Sequence, residues 1–315
     1  MNNLKKIGLS ALAGSLVAFS VNAVETSISG GATMYMSKGA ETTATGLSMS
    51  DSITFSASGT TDGGVDITIS LELDGDAAND ALDSKSITFG TEDLGTVTFA
   101  GHGGSSVMGG MDDKTPNAYE EVWDGVTGAD KLINGIAGNN LLRYDSPSFS
   151  GVSVHASYIN AANSGGVSMY HDMGIQISPE MVEGLTLGYA VGEVEETAGV
   201  MIDESTMFVT YAYGPVTVGY QTSEADGPTV TQDDDSTSMS ISYAISDDFS
   251  VSYGTHEMDL GSATAVGTDQ ESSGWAASYT MGGMSISGMM NSVDNVKGVA
   301  ADDKKGYELE LGFAF

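Results

Sequence analysis

The sequence predicts an all-β membrane protein: a transmembrane antiparallel up-and-down β-barrel of sixteen strands, with short turns at one end and long loops at the other. Three observations carry that expectation. Apolar side chains recur at every second position over short runs, connections alternate between tight turns and polar loops, and aromatic residues on the apolar face gather where strands enter the tight turns. Successive side chains of a strand point to opposite faces, so period two marks strands, and a tilted strand needs only ~10 residues to cross a bilayer.

The N-terminus precedes the pattern. Lys5 and Lys6 are followed by an apolar stretch from Ile7 to Phe19, and Val21-Asn22-Ala23 supplies small residues where a signal peptidase would cut. Residues 1–23 therefore read as a cleaved secretory signal peptide, and 24–315 as one barrel domain. The first runs place Ile28, Ala32, Met34 and Met36, then Leu47, Met49, Ile53 and Phe55, then Val65 to Leu73, on one face. Ile87/Phe89 and Val97/Phe99 flank a turn at Glu92–Gly95. A long interruption follows. The pattern returns with Leu142/Tyr144 and continues through ten more runs: Val152 to Tyr158, Val167 to Ile177, Leu185 to Val191, Met207 to Tyr213, Val216 to Tyr220, Met239 to Ile245, Phe249 to Tyr253, Trp275 to Met281, Met284 to Met290 and Tyr307 to Phe315.

The opposite faces are mostly Ser, Thr, Gly, Ala and acids, too small and polar to make a packed core. A soluble sandwich would also alternate, with its apolar faces meeting each other. Two features favour the barrel. Tight turns at Glu92–Gly95, Pro147–Gly151, Gly214-Pro215, Ser246–Asp248 and Gly282-Gly283 alternate with polar loops at Asp74–Asp83, Glu193–Glu204, Glu224–Ser236, Met258–Glu271 and Val293–Lys305. Phe55, Phe89, Tyr144, Tyr211, Tyr213, Tyr243, Tyr279, Phe313 and Phe315 lie at turn-facing strand ends, the place of an interfacial aromatic girdle. In hydrocarbon an unpaired sheet edge costs several kcal/mol per backbone group, so the first strand must pair with the last.

Composition narrows the function. The chain has 315 residues with 43 Asp+Glu against 10 Lys+Arg, a formal charge of -33. That balance excludes a nucleic-acid partner, which requires a basic footprint. Without cysteine there are no disulfides, thiolate nucleophiles or Cys-ligated zinc. Acid clusters at Asp76–Asp80, Asp233–Asp235 and Asp302-Asp303 lack metal-ligand spacing, and no metal or other cofactor is expected. The four histidines (His102, His155, His171, His256) are scattered with no recurrent acid–His or Ser–His grouping, which argues against a barrel enzyme. Asp51 and His171 share parity with the apolar face, which fits a rim position, a bulge or a sheltered interface.

Three stretches resemble the general diffusion porins of Gram-negative outer membranes. Asn140 to Gly151, with Arg143-Tyr144-Asp145-Ser146-Pro147 at its centre, is similar to the family's strand after its inward-folded loop. Ser86 to Phe99 is similar to the hairpin before that loop, and Phe315 with Phe313 in register resembles the terminal strand offered to the barrel-assembly machinery. The resemblance implies a homotrimer in outer-membrane lipid that passes small hydrophilic solutes and ions, with protomer contacts through the first and last strands and the second long loop, which makes Asp51, on the second run, an interface candidate.

Residues 102–139, the longest interruption, carry Asp112, Asp113, Glu120, Glu121, Asp124 and Asp130 against Lys114 and Lys131. From the residues alone this is either an exposed acidic loop or a pore constriction; the resemblance implies the constriction. Arg143, the only arginine, points inward by parity and is expected to tie down loop carboxylates or to face them as a positive wall group, a surface arginine at the strand rim being the alternative. The other inward charges are Asp66, Glu72, Glu308 and Glu310, all acids, whereas the family sets several bases on the wall. A transverse field is therefore not expected, and a negative, cation-selective channel is. A surface structural or adhesin β protein without channel activity is the main alternative, and an outer-membrane barrel enzyme a lesser one.

Overall fold

A computed structural model describes residues 24–38, 46–74, 82–126, 128–129, 135–160, 169–197, 199–261 and 268–315. The expected signal peptide lies outside the described residues. Sixteen strands among them form one closed antiparallel sheet: β1 (Glu25–Lys38), β2 (Gly46–Thr60), β3 (Asp66–Asp74), β4 (Leu82–Thr91), β5 (Gly95–His102), β6 (Leu141–Asp145), β7 (Val152–Asn160), β8 (Met169–Ile177), β9 (Leu185–Thr197), β10 (Val200–Tyr213), β11 (Val216–Asp226), β12 (Asp234–Ala244), β13 (Phe249–Leu260), β14 (Gln270–Met281), β15 (Met284–Asp294) and β16 (Lys304–Ala314). Each strand pairs with its sequence neighbours, and β1 pairs with β16 from Gly31↔Ala314 to Lys38↔Tyr307. The seam ends in two backbone bonds, Gly30 N–H to Phe315 O (2.9 Å) and Phe315 N–H to Gly30 O (3.0 Å). The expected architecture is the observed one.

Period two sorts the faces as anticipated. The large apolar residues left exposed are those of the apolar runs: Met49, Phe89, Tyr144, Met207, Ile241, Trp275 and Phe313 among them. In a membrane this greasy outer surface is covered by acyl chains. A girdle tyrosine adds a polar tip that reaches the turn, as where the Tyr144 hydroxyl donates to Leu94 O at 2.9 Å. Turn glycines serve close approach as well as left-handed backbone. Gly95 has φ +78°, and a Cβ there would lie 2.2 Å from Asp145 O on the next strand.

The connections depart from the expected alternation. Glu193–Glu204, expected as a loop, is strand on both sides: β9 and β10 run on to Thr197↔Val200, joined across residues 198–199. Polar residues misled the reading there, because above the apolar band an outward strand face meets head groups and water and has no need of apolar side chains. The turn end is also less uniform, since β8 and β9 are separated by residues 178–184. Asp51 faces outward opposite Ala32 in an unbroken β1–β2 register, so no bulge displaces it. His171 also faces outward, two residues in from the loop end of β8, with Nδ1 4.0 Å from Glu193 Oε1; this is a rim position.

Because Phe315 closes the seam through both its N–H and its C=O, deleting it removes two hydrogen bonds of about 1 kcal/mol each. The expected result is a lower urea midpoint of the folded barrel, read by heat-modifiable electrophoretic mobility.

Candidate functional site: a loop held inside the barrel

After β5 the chain does not leave the barrel. Gly104–Ser105 pairs with Ala137–Gly138, forming a short neck, and a single turn of 3-10 helix at Met108–Gly110 follows. From there the loop runs along the inner wall, held at each step by a side chain of the wall. Ser157 of β7 accepts from Val107 N–H (3.3 Å), and Asp172 of β8 accepts from Met108 N–H (2.7 Å). On β11, Gln221 accepts from Lys114 N–H and donates to Met111 O, both at 2.7 Å. Ser240 of β12 donates to Pro116 O (2.7 Å), and Ser252 of β13 accepts from Ala118 N–H (2.9 Å). Asn291 of β15 donates to Glu121 O (3.0 Å) and Asp124 O (2.7 Å).

Apolar contacts reinforce these bonds. Val107, Met108 and Met111 pack with Ala190 and Phe208, and Val126 packs with Val293 and Val296. Trp123 packs against His256 of β13 with ring centroids 4.3 Å apart and the ring planes tilted by 55°. At the loop's far reach, the Tyr119 hydroxyl lies 2.7 Å from Glu308 Oε1 and 2.9 Å from Glu310 Oε2, so its single proton is shared between two carboxylates of the last strand.

The expected site residues divide into groups. Asp112, Asp113, Glu120, Glu121 and Asp124 all lie on the described part of the loop; Asp130 lies outside the described residues. Burial, with the charge of Asp113 beside it, pushes the Asp112 carboxyl up to about 7. Burial and a hydrogen bond with Asp124 push Glu121 up to about 8. Glu120, Glu121 and Asp124 each bring a carboxylate oxygen within 4.8 Å of the others. Glu308 and Glu310 meet the loop through Tyr119. Glu72, by contrast, takes a hydrogen bond from Ser84 (3.1 Å) on wall strands away from the loop contacts, and the exposed Asp66 takes one from Thr60 (2.6 Å) at a turn.

Arg143 binds none of the loop carboxylates among the described residues. Its Nη1 donates to the carbonyls of Ser105 (3.3 Å) and Ser106 (3.0 Å), and its Nε and Nη2 hold Asp145. It therefore anchors the loop at its root through backbone, and its charge is met by a wall carboxylate the sequence reading had not singled out. Also missed were Tyr119 and the wall residues Asp172, Gln221 and Asn291. The available signal was polar side chains larger than Ser or Thr at inward positions. A further network links Asp145, His155 and Ser153 near the turn end.

Sixteen closed strands, an apolar exterior and a loop folded along the inner wall define an outer-membrane channel barrel. A family profile described as Gram-negative porin matches residues 8–298, and the chain belongs to that family. No curated protein sequence matches the chain. Among solved structures, Vibrio cholerae OmpT in its trimer form is similar over 93% of this chain and 100% of its own, with 13% identity and a TM-score of 0.68. A porin structure refined at 1.8 Å matches with 16% identity, 92% and 100% coverage and a TM-score of 0.66. A substituted Rh. blastica porin gives 15%, 92% and 100%, and 0.62. The protein is an outer-membrane porin.

Asn291→Ala removes both bonds to the loop at Glu121 and Asp124 and leaves two carbonyls without these partners, a cost of about 1–3 kcal/mol. Amides 121–124 are expected to exchange hydrogen faster in this variant, while the barrel amides keep their protection.

Proposed function

We propose that this porin is a passive, water-filled and cation-selective pore for small hydrophilic solutes, constricted by the loop at 102–139. The observation that carries the reading is the chain of wall side chains that holds the loop backbone inside the barrel from β7 to β15. A loop so placed narrows the passage, and its acids line it. On the wall of β1 to β5 polar side chains bond one another: Thr33, Tyr35 and Ser50 do so on β1 and β2, Thr88 with Thr98 on β4 and β5, and Ser84 with Glu72 on β4 and β3. An adhesin has no use for a loop packed within its own barrel. Passage itself requires no chemistry on the solute, and no enzyme activity enters this reading.

The charge supports cations. Lys114 is paired with Asp113 at 3.3 Å and Arg143 with Asp145 at 3.0 Å, so the lumen's acids outnumber the bases set against them. Carboxylates at a low-dielectric wall raise the local cation concentration and repel anions. The trimeric form of the structurally similar OmpT supports a homotrimer here too. Phe313 and Phe315 on the last strand suit a signal to the barrel-assembly machinery, and residues 1–23 a signal peptide for export.

In planar bilayers with a salt gradient, the reversal potential is expected to report cation preference that weakens at high salt as screening shortens the field. Anion preference would reject the lumen assignment, and no conductance the function. The preference also depends on pH. Asp112 and Glu121 bind protons up to about 7 and about 8, so they are neutral on the acid side and ionise as pH rises. Cation preference should increase between about pH 6 and 9, and Asp112→Asn with Glu121→Gln should flatten that rise.

A further inference from the structure

The turn end of the lumen wall holds an arrangement that passage does not use. Asp145 and His155 face each other across β6 and β7, and Ser153 follows on the same inward face of β7. His155 Nδ1 lies 2.7 Å from Asp145 Oδ1, and His155 Nε2 lies 3.0 Å from Ser153 Oγ. The carboxylate accepts from Nδ1–H, which leaves Nε2 as the acceptor for the serine hydroxyl, the tautomer a general base needs. Arg143 fixes the carboxylate through Nε at 3.0 and 3.1 Å to its two oxygens. All three side chains are only half-buried, whereas Ser157, the next inward residue but one along β7, is covered by the loop. Directly across from Ser153 on β8 stands Gln176, whose Cα is its register partner and whose carboxamide carries two N–H donors. Joining β6 to β7 would need only the Asp145–His155 bond; the serine on the second imidazole nitrogen adds nothing to that purpose.

We propose that Ser153, His155 and Asp145 form a nucleophilic triad that hydrolyses small soluble carboxylic esters entering the turn-end mouth. His155 Nε2 takes the hydroxyl proton as Ser153 Oγ bonds to the ester carbonyl carbon, and the carbonyl electron pair moves to oxygen. A Gln176 N–H is the donor for that oxyanion. Collapse breaks the acyl–alkoxy bond, and the alcohol leaves with the proton held at Nε2. Water, deprotonated by His155, then attacks the acyl-serine; the carboxylic acid departs and Ser153 regains its proton. Asp145 keeps the imidazole oriented throughout and stabilises its cationic form.

The test uses the intact porin in detergent and in liposomes, with a fluorophosphonate as covalent probe and p-nitrophenyl acetate as substrate. The wild type should acquire one phosphonyl adduct, mapped by peptide mass to Ser153, and turn over the ester. Ser153→Ala should lose the adduct, and its turnover should fall ~10²-fold or more, as should that of His155→Gln. Ser178→Ala, on the neighbouring turn, should retain both. Unchanged conductance of each variant separates loss of chemistry from loss of fold. Absence of the adduct in the wild type, or ester turnover that survives Ser153→Ala because the imidazole acts alone, would overturn the proposal.

Discussion

Everything inside this barrel depends on hydrogen bonds from wall side chains to the backbone of one loop. A segment without long regular structure that enters a lumen exposes N–H and C=O groups at every residue, and each one left dry and unpaired is costly. The wall strands cannot satisfy them with their own backbones, since every ladder position is committed to the neighbouring strand. Side chains must do it. Ser157, Asp172, Gln221, Ser240, Ser252 and Asn291 meet that need on six different strands, each at an inward position. Gln221 and Asn291 are the more effective because an amide can pair with two backbone groups at once, as both do.

The same requirement explains where strands are apolar on both faces. Leu141-Leu142, Tyr158-Ile159, Met169-Tyr170, Met207-Phe208 and Met289-Met290 each send one side chain to the exterior and one beneath the loop or its neck. Leu141, Ile159, Tyr170, Phe208 and Met289 are buried, whereas Leu142, Tyr158, Met207 and Met290 are exposed. These dipeptides break the strict alternation, and they mark the inner wall that the loop covers. On β1 to β4 the inward faces keep mainly Ser, Thr and acids, and the large inward Tyr35 is held by hydroxyls of Thr33 and Ser50 rather than packed under the loop. The lumen is thus divided by sequence into a packed side and a wet side.

The fold was legible because lipid imposes a pattern with few solutions: apolar outward, small and polar inward, edges closed. The strand count, the seam and the girdle all followed from parity and turn residues. Loop lengths were less legible, since Glu193 to Glu204 looks like a loop by polarity and is strand by backbone pairing. The candidate site was half legible. The acids of the loop stand out by composition, but their partners are long-range contacts with no local signature, such as Tyr119 with Glu308 and Glu310. Arg143 takes Asp145 as its carboxylate partner, two residues along the same strand, a pairing that a search for loop acids does not reveal. The Ser153–His155 pair carried the same i, i+2 signal and was passed over as scattered, since its acid comes from the adjoining strand.

Charge and burial act together on the loop acids. Holding Asp112 and Glu121 close against the wall removes water from groups that already sit beside Asp113 and Asp124, and both carboxyls respond by binding protons more tightly. Protons on these carboxyls and hydrogen bonds to others lower the charge that the loop brings against the wall. Tyr119 applies the same principle across the lumen, lending one phenolic proton to two glutamates that would otherwise repel each other on neighbouring inward positions of β16. A chain with one arginine has few cations for this purpose, so it stabilises its interior with protons and neutral donors. Basic wall residues would serve the packing equally well, but they would cancel the negative potential on which the proposed cation preference rests.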